Sequence, residues 1–400
     1  MAVLRVDHPD IERFIHAKDH GGLRHFNLSV GLTDVFMRAV LEGGPWALTH
    51  RGGCEVLASM PARALWEQLV HAAWDHGDPG VLFLDTLARE NPLSSIETLA
   101  CTNPCGEQPL PPYGACCLGA LDLTRFVHRP FHPDARIDLP ALARVAAVGV
   151  RMLDNVIDLT LWPLPAHADE ARSKRRIGLG LTGLADALIL LNLPYDSAPA
   201  RAQAARVGRT LREAAVRAST ALAREKGPFP RFAASQYLAS PGFAARLPAA
   251  LRQRIASHGL RNSHLLSIAP CGTISLAMAD VVSTGVEPVV DWVRPRTLRG
   301  PDGVACQYDL QDSAWRLWRA LKGSQAALPL AFRTVRDIGP EDQVAMVAAL
   351  APFIDGGISK TVNLPAEASS ADVEAVFRSA WLRGLKGITV FRPNPLTGLA

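Results

Sequence analysis

The chain has 400 residues, 48% of them apolar and 20% charged, with a net charge of +4; that balance excludes a disordered chain and allows a large buried core. The densest basic run, RSKRRIG at 172–178, carries no interleaved aromatics, which argues against a nucleic-acid surface. No apolar stretch reaches the roughly 18 residues of a membrane span, and the charged start MAVLRVDHPDIERF lacks the apolar centre of a signal peptide. Seven cysteines, an odd number, argue against a secreted disulfide framework and lead to the expectation of a cytoplasmic protein with free thiols.

In chain order, His8-Pro9-Asp10 opens a helix whose apolar face is Ile11, Phe14 and Ile15. FNLSVG at 26–31 alternates as a strand does, and Thr33-Asp34 caps the helix that follows. Pro61 starts a helix with Leu65, Leu69, Ala72 and Ala73 on one side. Gly77-Asp78-Pro79-Gly80 then turns the chain into a buried-strand run, VLFLD at 81–85. Asp196-Ser197 caps a long alanine- and arginine-rich helix that Gly227 ends. HLLSIAP at 264–270 and KGITVF at 386–391 read as strands, with a helix starting at Ser369-Ser370-Ala371-Asp372 between them. Strands alternating with helices predict a mostly parallel sheet with covered faces, in one domain spanning 1–400. Entry into an element almost at residue 1, and an end soon after the last strand, lead to the expectation of a portion of a longer protein.

Four cysteines, Cys101, Cys105, Cys116 and Cys117, crowd into seventeen positions. Zinc knuckles come as two Cys pairs or as a Cys pair with a His pair. Here the second two cysteines are adjacent, so on an extended chain their side chains point apart, and no histidine pair is near; no metal site is expected. Burial as small apolar side chains suits Cys117, Cys54 and Cys306, with Cys101 beside them. It does not suit Cys105, set between Pro104 and Gly106 with Asn103 and Glu107 two residues to either side. On an extended loop that spacing puts an amide, a thiol and a carboxylate on one face, beside a potential general base. Histidine assistance from His71, His76 or His128 would have to come from a distance in sequence.

A second candidate site follows the strand at 264–270. Pro270, Cys271, Gly272, Thr273, Ile274 and Ser275 open a small-residue helix whose first N–H groups, with the Thr273 and Ser275 hydroxyls, would cradle an anion. It lacks the Gly-Lys-[Ser/Thr] of an ATP-hydrolysing loop, so a phosphate would be held and not transferred. RRIGLGLTGLAD at 175–186 spells Gly-x-Gly-x-x-Gly, but no acidic residue follows at the end of a second strand; it is read as close packing.

Taken together, LRVDHPDIERFI, LRHFNLSVGLTDVFM, GDPGVLFLDTLARENP, TNPCGEQPLPPYGACCLGALDL, LDNVIDLT, RRIGLGLTGLAD, SIAPCGTISLAMADVVSTGVEPV, ISKTVNLP and GLKGITVFR resemble the catalytic chain of adenosylcobalamin-dependent (class II) ribonucleotide reductases. The resemblance implies an α/β barrel of ten strands in two parallel, mutually antiparallel halves, with a finger loop up its centre. It implies Cys105 as the cysteine that becomes a thiyl radical, Glu107 as the base for the 3′-hydroxyl, Asn103 as the orienting amide and Cys116 as one of two reducing thiols. It implies that 270–275 holds the phosphates of a ribonucleoside di- or triphosphate, with Cys271 where the family usually has threonine. Adenosylcobalamin would be the cofactor and a thioredoxin-like or other dithiol the reductant. The family's second reducing cysteine and part of its barrel lie upstream of the matching segment, and its C-terminal cysteine tail lies downstream. The expectation is therefore a truncated barrel completed by a separate N-terminal chain or a homodimer, and inactive alone; the alternative is an inactive relative that binds nucleotide or an intact reductase.

Overall fold

The computed structural model describes residues 1–19, 23, 25–50, 55–299 and 304–394. Among these, eight extended segments form an arc. Ala2–Arg5, Leu28–Leu32 and Gly80–Phe83 run parallel to one another. Gly387–Phe391 then pairs antiparallel with Gly80–Phe83, setting Gly387 opposite Leu82, and lies parallel to Thr361–Asn363. From there parallel bridges run from Ile358 to Ile268 and from Leu266 to Leu179, reaching Gly178–Thr182 and, beside it, Leu118–Asp122. Two parallel sets thus meet at one antiparallel seam, as the resemblance implies. The outer strands, Ala2–Arg5 and Leu118–Asp122, do not pair with each other among the described residues, so the expected closed ring of ten is here an open arc.

Local chemistry explains most of the element boundaries. The Thr33 hydroxyl accepts from Phe36 N at 3.1 Å and starts the helix Asp34–Glu42. Ser197 accepts from Ala200 N at 3.2 Å at the head of Ala198–Lys226, which Gly227 ends. Ser369 and Asp372 close a reciprocal capping box on Ser370–Leu382. Leu28–Leu32 and Gly178–Thr182 are buried at every position, so the alternation expected around 26–31 is absent: both faces of these strands are covered. The predicted strand at 264–270 is extended but makes only single bridges, because Asp355 takes the Leu265 and Leu266 N–H groups at 2.8 and 2.7 Å.

Three of the four basic residues of the run are spent inside the molecule. Lys174, Arg175 and Arg176 are buried; Lys174 and Arg176 share Glu97, and Arg175 binds Asp154 at 2.8 Å and Asp158 at 2.7 Å. No described helix is long and apolar enough to cross a membrane. The glycines of the Gly-x-Gly-x-x-Gly spelling serve close packing: a Cβ on Gly178 would lie 2.3 Å from Gln108 Nε2, and one on Gly180 2.2 Å from the Ser267 carbonyl. Those two approaches bring the central strands against the base of the cysteine loop.

Candidate active site

Cys101–Thr102 pairs antiparallel with Pro109–Leu110, and residues 103–108 close the hairpin that projects into the arc. Its tip is a tight turn and not the extended loop expected from the Asn-x-Cys-x-Glu spacing. Gly106 N donates to the Asn103 carbonyl at 3.0 Å, Gly106 adopts φ +84°, and the Asn103 side-chain oxygen accepts from Gln108 N at 2.9 Å. The Glu107 carbonyl accepts from Gly357 N at 2.7 Å and from the Ser267 hydroxyl at 2.5 Å, which fastens the loop to two strands at once. Glycine at 357 permits this close approach, since a Cβ there would meet the Gly106 oxygen at 2.9 Å.

These contacts leave the three predicted groups of the loop in different environments. Glu107 is 2% exposed, and one of its carboxylate oxygens has no hydrogen-bond partner. Burial raises its pKa, and a hydrogen bond from the Asn103 side chain pulls it partly back. Cys105 is open to solvent at the tip. Its thiol is nonetheless held above the ordinary value, first by the protein packed around it and then by the Glu107 charge. Cys116, also exposed, is pushed up to about 11 by its surroundings and by Glu107, with Arg176 opposing. Cys271 reaches about 11 for the same two reasons. The carboxylate of Glu107 therefore acts on three thiols, one of them, Cys271, remote in sequence. All three are kept protonated at neutral pH, the opposite of what a thiolate nucleophile requires, and a protonated thiol is a hydrogen-atom donor.

Cys117 faces away from Cys116: its Sγ–H donates to the Leu153 carbonyl at 3.5 Å against the helix Leu139–Leu159. It packs as expected of a small apolar side chain, and Cys101 is half-buried. Cys306 is instead exposed on the antiparallel ribbon formed by Val293–Arg299 and Ala305–Gln311, because a two-stranded ribbon has no second layer to bury it. Cys54 lies outside the described residues. His71, His76 and His128 pair with Asp75, Asp19 and Asp138, away from the cleft.

A cleft of about 380 Å³ opens beside Cys105, walled by Pro104, Pro270, Thr284, Glu287, Lys360 and Gly387 among others. Pro270 thus brings the second predicted segment to the thiol. The helix Gly272–Ala277 begins after Cys271, which takes φ +58°; Gly272, Thr273 and Ile274 are exposed. Ser275 departs from the expectation that its hydroxyl faces an anion. It is fully buried, shares a hydrogen bond of 2.8 Å with Thr182, and its N–H donates to the Cys271 carbonyl. Sequence reasoning missed Glu287 and Lys360: the buried ammonium donates to Glu287, to Gln343 Oε1 at 2.9 Å and to the Thr361 carbonyl, tying the cleft wall together. It also missed Ser267 and Gly357, for which the paired glycines at 356–357 were the available signal.

A family model described as "Ribonucleotide reductase, barrel domain" matches residues 1–391. A "Vitamin B12-dependent ribonucleoside-diphosphate reductase" of Mycobacterium tuberculosis (strain CDC 1551 / Oshkosh) is 39% identical over 410 residues, covering 98% of this chain and 56% of that protein. A protein of the same name from Thermoplasma acidophilum is 31% identical over 417 residues, covering 99% and 51%. The "Ribonucleoside-diphosphate reductase large subunit" of Caenorhabditis elegans is 28% identical over 453 residues, covering 97% and 56%. The chain spans about half the length of these curated relatives, and it belongs to the ribonucleotide reductase barrel-domain family.

Proposed function

We propose, from that membership and from the protonated thiols around Glu107, that the chain carries the radical site of a cobalamin-dependent ribonucleotide reductase. In this reading a ribonucleoside di- or triphosphate lies in the cleft beside Cys105. Cys105, once its S–H hydrogen atom has passed to the radical that a bound cofactor would supply, would take the ribose 3′ hydrogen as a thiyl and return it to the same carbon at the end of turnover. Glu107, with a free carboxylate oxygen, takes the 3′-hydroxyl proton. Asn103 steadies that carboxylate. Cys116 supplies one of the two thiols oxidised to a disulfide as the 2′-hydroxyl leaves as water, and a dithiol such as a thioredoxin-like protein restores them. The exposed turn at Gly272, Thr273 and Ile274 offers N–H groups for the phosphates, with Pro270, Cys271 and Ser275 shaping it.

The cleft suits a nucleoside. Ser29, Thr284, Ser359 and Asn363 bring hydroxyls and an amide into its lining. Gly387 keeps one wall flat, where a Cβ would meet Leu82 Cδ2 at 2.7 Å. That donor set fits the nucleoside end of adenosylcobalamin as well as that of the substrate; when bound, the cofactor supplies one-electron chemistry through its cobalt–carbon bond. Two further strands between Ala2–Arg5 and Leu118–Asp122, from a separate chain or a second copy, would close the arc into the ten-stranded cylinder around the finger loop.

The observation that carries this reading is the hairpin that sets Cys105 at the cleft beside Glu107, a carboxylate 2% exposed with one oxygen unpartnered. Nucleotide protection tests it. Ribonucleoside di- and triphosphates, offered separately, should slow alkylation of Cys105 and Cys116 while leaving Cys306 unchanged. Protection by neither nucleotide at millimolar concentration would refute the assignment, and the stronger protector identifies the substrate class.

A further inference from the structure

We infer that Asn27 is a positioning residue for the Cys105 thiol, acting through a hydrogen bond from its side-chain amide to the Pro104 carbonyl across the cleft. The amide nitrogen lies 3.1 Å from that oxygen, and this carbonyl belongs to the peptide unit that ends at Cys105 N. Every other anchor described for the loop holds its base. Gly357 and Ser267 fix Glu107, and Gln108 fixes Asn103, so the tip hangs from one of the two strand sets. Asn27 reaches it from the other set.

Its own placement is determined on both sides. The Asn27 carbonyl accepts from Ala2 N at 2.9 Å, and the next N–H, that of Leu28, donates to Asp78 Oδ1 at 3.2 Å. Asp78 is in turn paired with Lys18. At the tip, nothing lies within 4 Å of where a Gly106 Cβ would be, so packing on that side does not restrain the turn. A donor is required at 27, because aspartate would set one acceptor against another and alanine would leave the carbonyl without this partner.

The inference rests on Cys105 being the reacting thiol, and the test reads that thiol without turnover. In the full chain, iodoacetamide labelling is followed by mass spectrometry at three cysteines. Cys105 is the reporter, exposed Cys306 the reference and buried Cys271 the sentinel of unfolding. Asn27→Ala and Asn27→Asp should raise the Cys105-to-Cys306 rate ratio about fivefold, as expected for one lost hydrogen bond. Asn27→Ala should also move the Cys105 pH profile toward lower pH, since a freed thiol escapes the packing and the Glu107 charge that suppress its ionisation, whereas in Asn27→Asp the new carboxylate opposes that shift as Glu107 does. Cys271 should stay unlabelled. If Cys271 reacts in either variant, Asn27→Ser, a smaller polar change, decides by the same ratio and profile. An unchanged ratio and profile with Cys271 silent overturns the inference. A general loss of stability would lower the melting temperature without moving that profile. Failure of nucleotides to protect Cys105, with the Asn27 effect intact, would count against the reductase reading alone.

Discussion

Gly357→Ala isolates the coupling between the cysteine loop and the strands that hold it. Gly357 does not have a positive φ, so alanine is acceptable to its backbone and the effect is steric. The new Cβ would sit 2.9 Å from the Gly106 oxygen and 3.0 Å from both Cα and O of Glu107, all backbone atoms. Relief to ordinary contact requires the loop to retreat by about half an ångström. The bond from Gly357 N to the Glu107 oxygen, now 2.7 Å, would stretch to about 3.2 Å, the outer limit of a good N–H···O geometry. Overpacking of this kind costs about 1–3 kcal/mol, a few degrees in melting temperature. Thermal unfolding and Cys105 alkylation, measured on the same preparation, should both change. Gly44→Ala, whose Cβ would find its nearest neighbour at 3.8 Å, serves as the control and should change neither. A Gly357→Ala protein matching that control in both measurements would refute the claim that Gly106 and Glu107 are placed by contact with Gly357.

Glu107→Gln removes the second of the two influences that raise the Cys105 thiol, so its alkylation at pH 8 should become roughly twofold faster; an unchanged rate would leave burial as the only cause. Asp312→Asn addresses the buried pair that Asp312 forms with Asp186, in which burial and then the Asp186 charge hold Asp312 well above its ordinary value of 3.8. A folded-state pKa raised above the unfolded one stabilises fully below the unfolded value, and this contribution is lost as pH rises toward the folded value. Asparagine keeps the helix cap on Trp315 N without that loss, so the variant should gain on the wild type as pH rises above 3.8, read by thermal unfolding. Parallel stability curves would disprove the raised pKa of Asp312. Thr182→Val strips the hydroxyl that meets Ser275, accepts from Gly285 N at 3.2 Å and donates to the Ser283 carbonyl at 3.1 Å. It should cost about 1–3 kcal/mol and weaken nucleotide protection of Cys105, with Thr182→Ser restoring both; protection unaffected by the valine would detach this turn from the cleft.

Elements with strong local signals were legible in the sequence. The caps at Thr33, Ser197 and Ser369 bind N–H groups within their own first turn, and such hydrogen bonds need no partner distant in the chain. The cysteine loop could be read from Pro104, Cys105 and Gly106 because proline and glycine restrict the backbone wherever the loop is placed. Positions whose roles come from the opposite strand set could not be read. Asn27 lies 77 residues before the carbonyl it binds, and Glu287 lies 73 residues before Lys360. Ser275 shows the converse: its hydroxyl was read as facing outward, and Thr182, 93 residues earlier, turns it inward.

By itself the sequence determined which side chains are available and how the chain bends beside them: a thiol between proline and glycine, with an amide and a carboxylate two residues away. The tertiary structure decided what those groups can do. Folding buried Glu107 with one oxygen unpartnered and set its charge against Cys105, Cys116 and Cys271. The physical reason is that protonation depends on solvent exclusion and on charges close in space, and both are properties of the assembled arc and not of any segment of it.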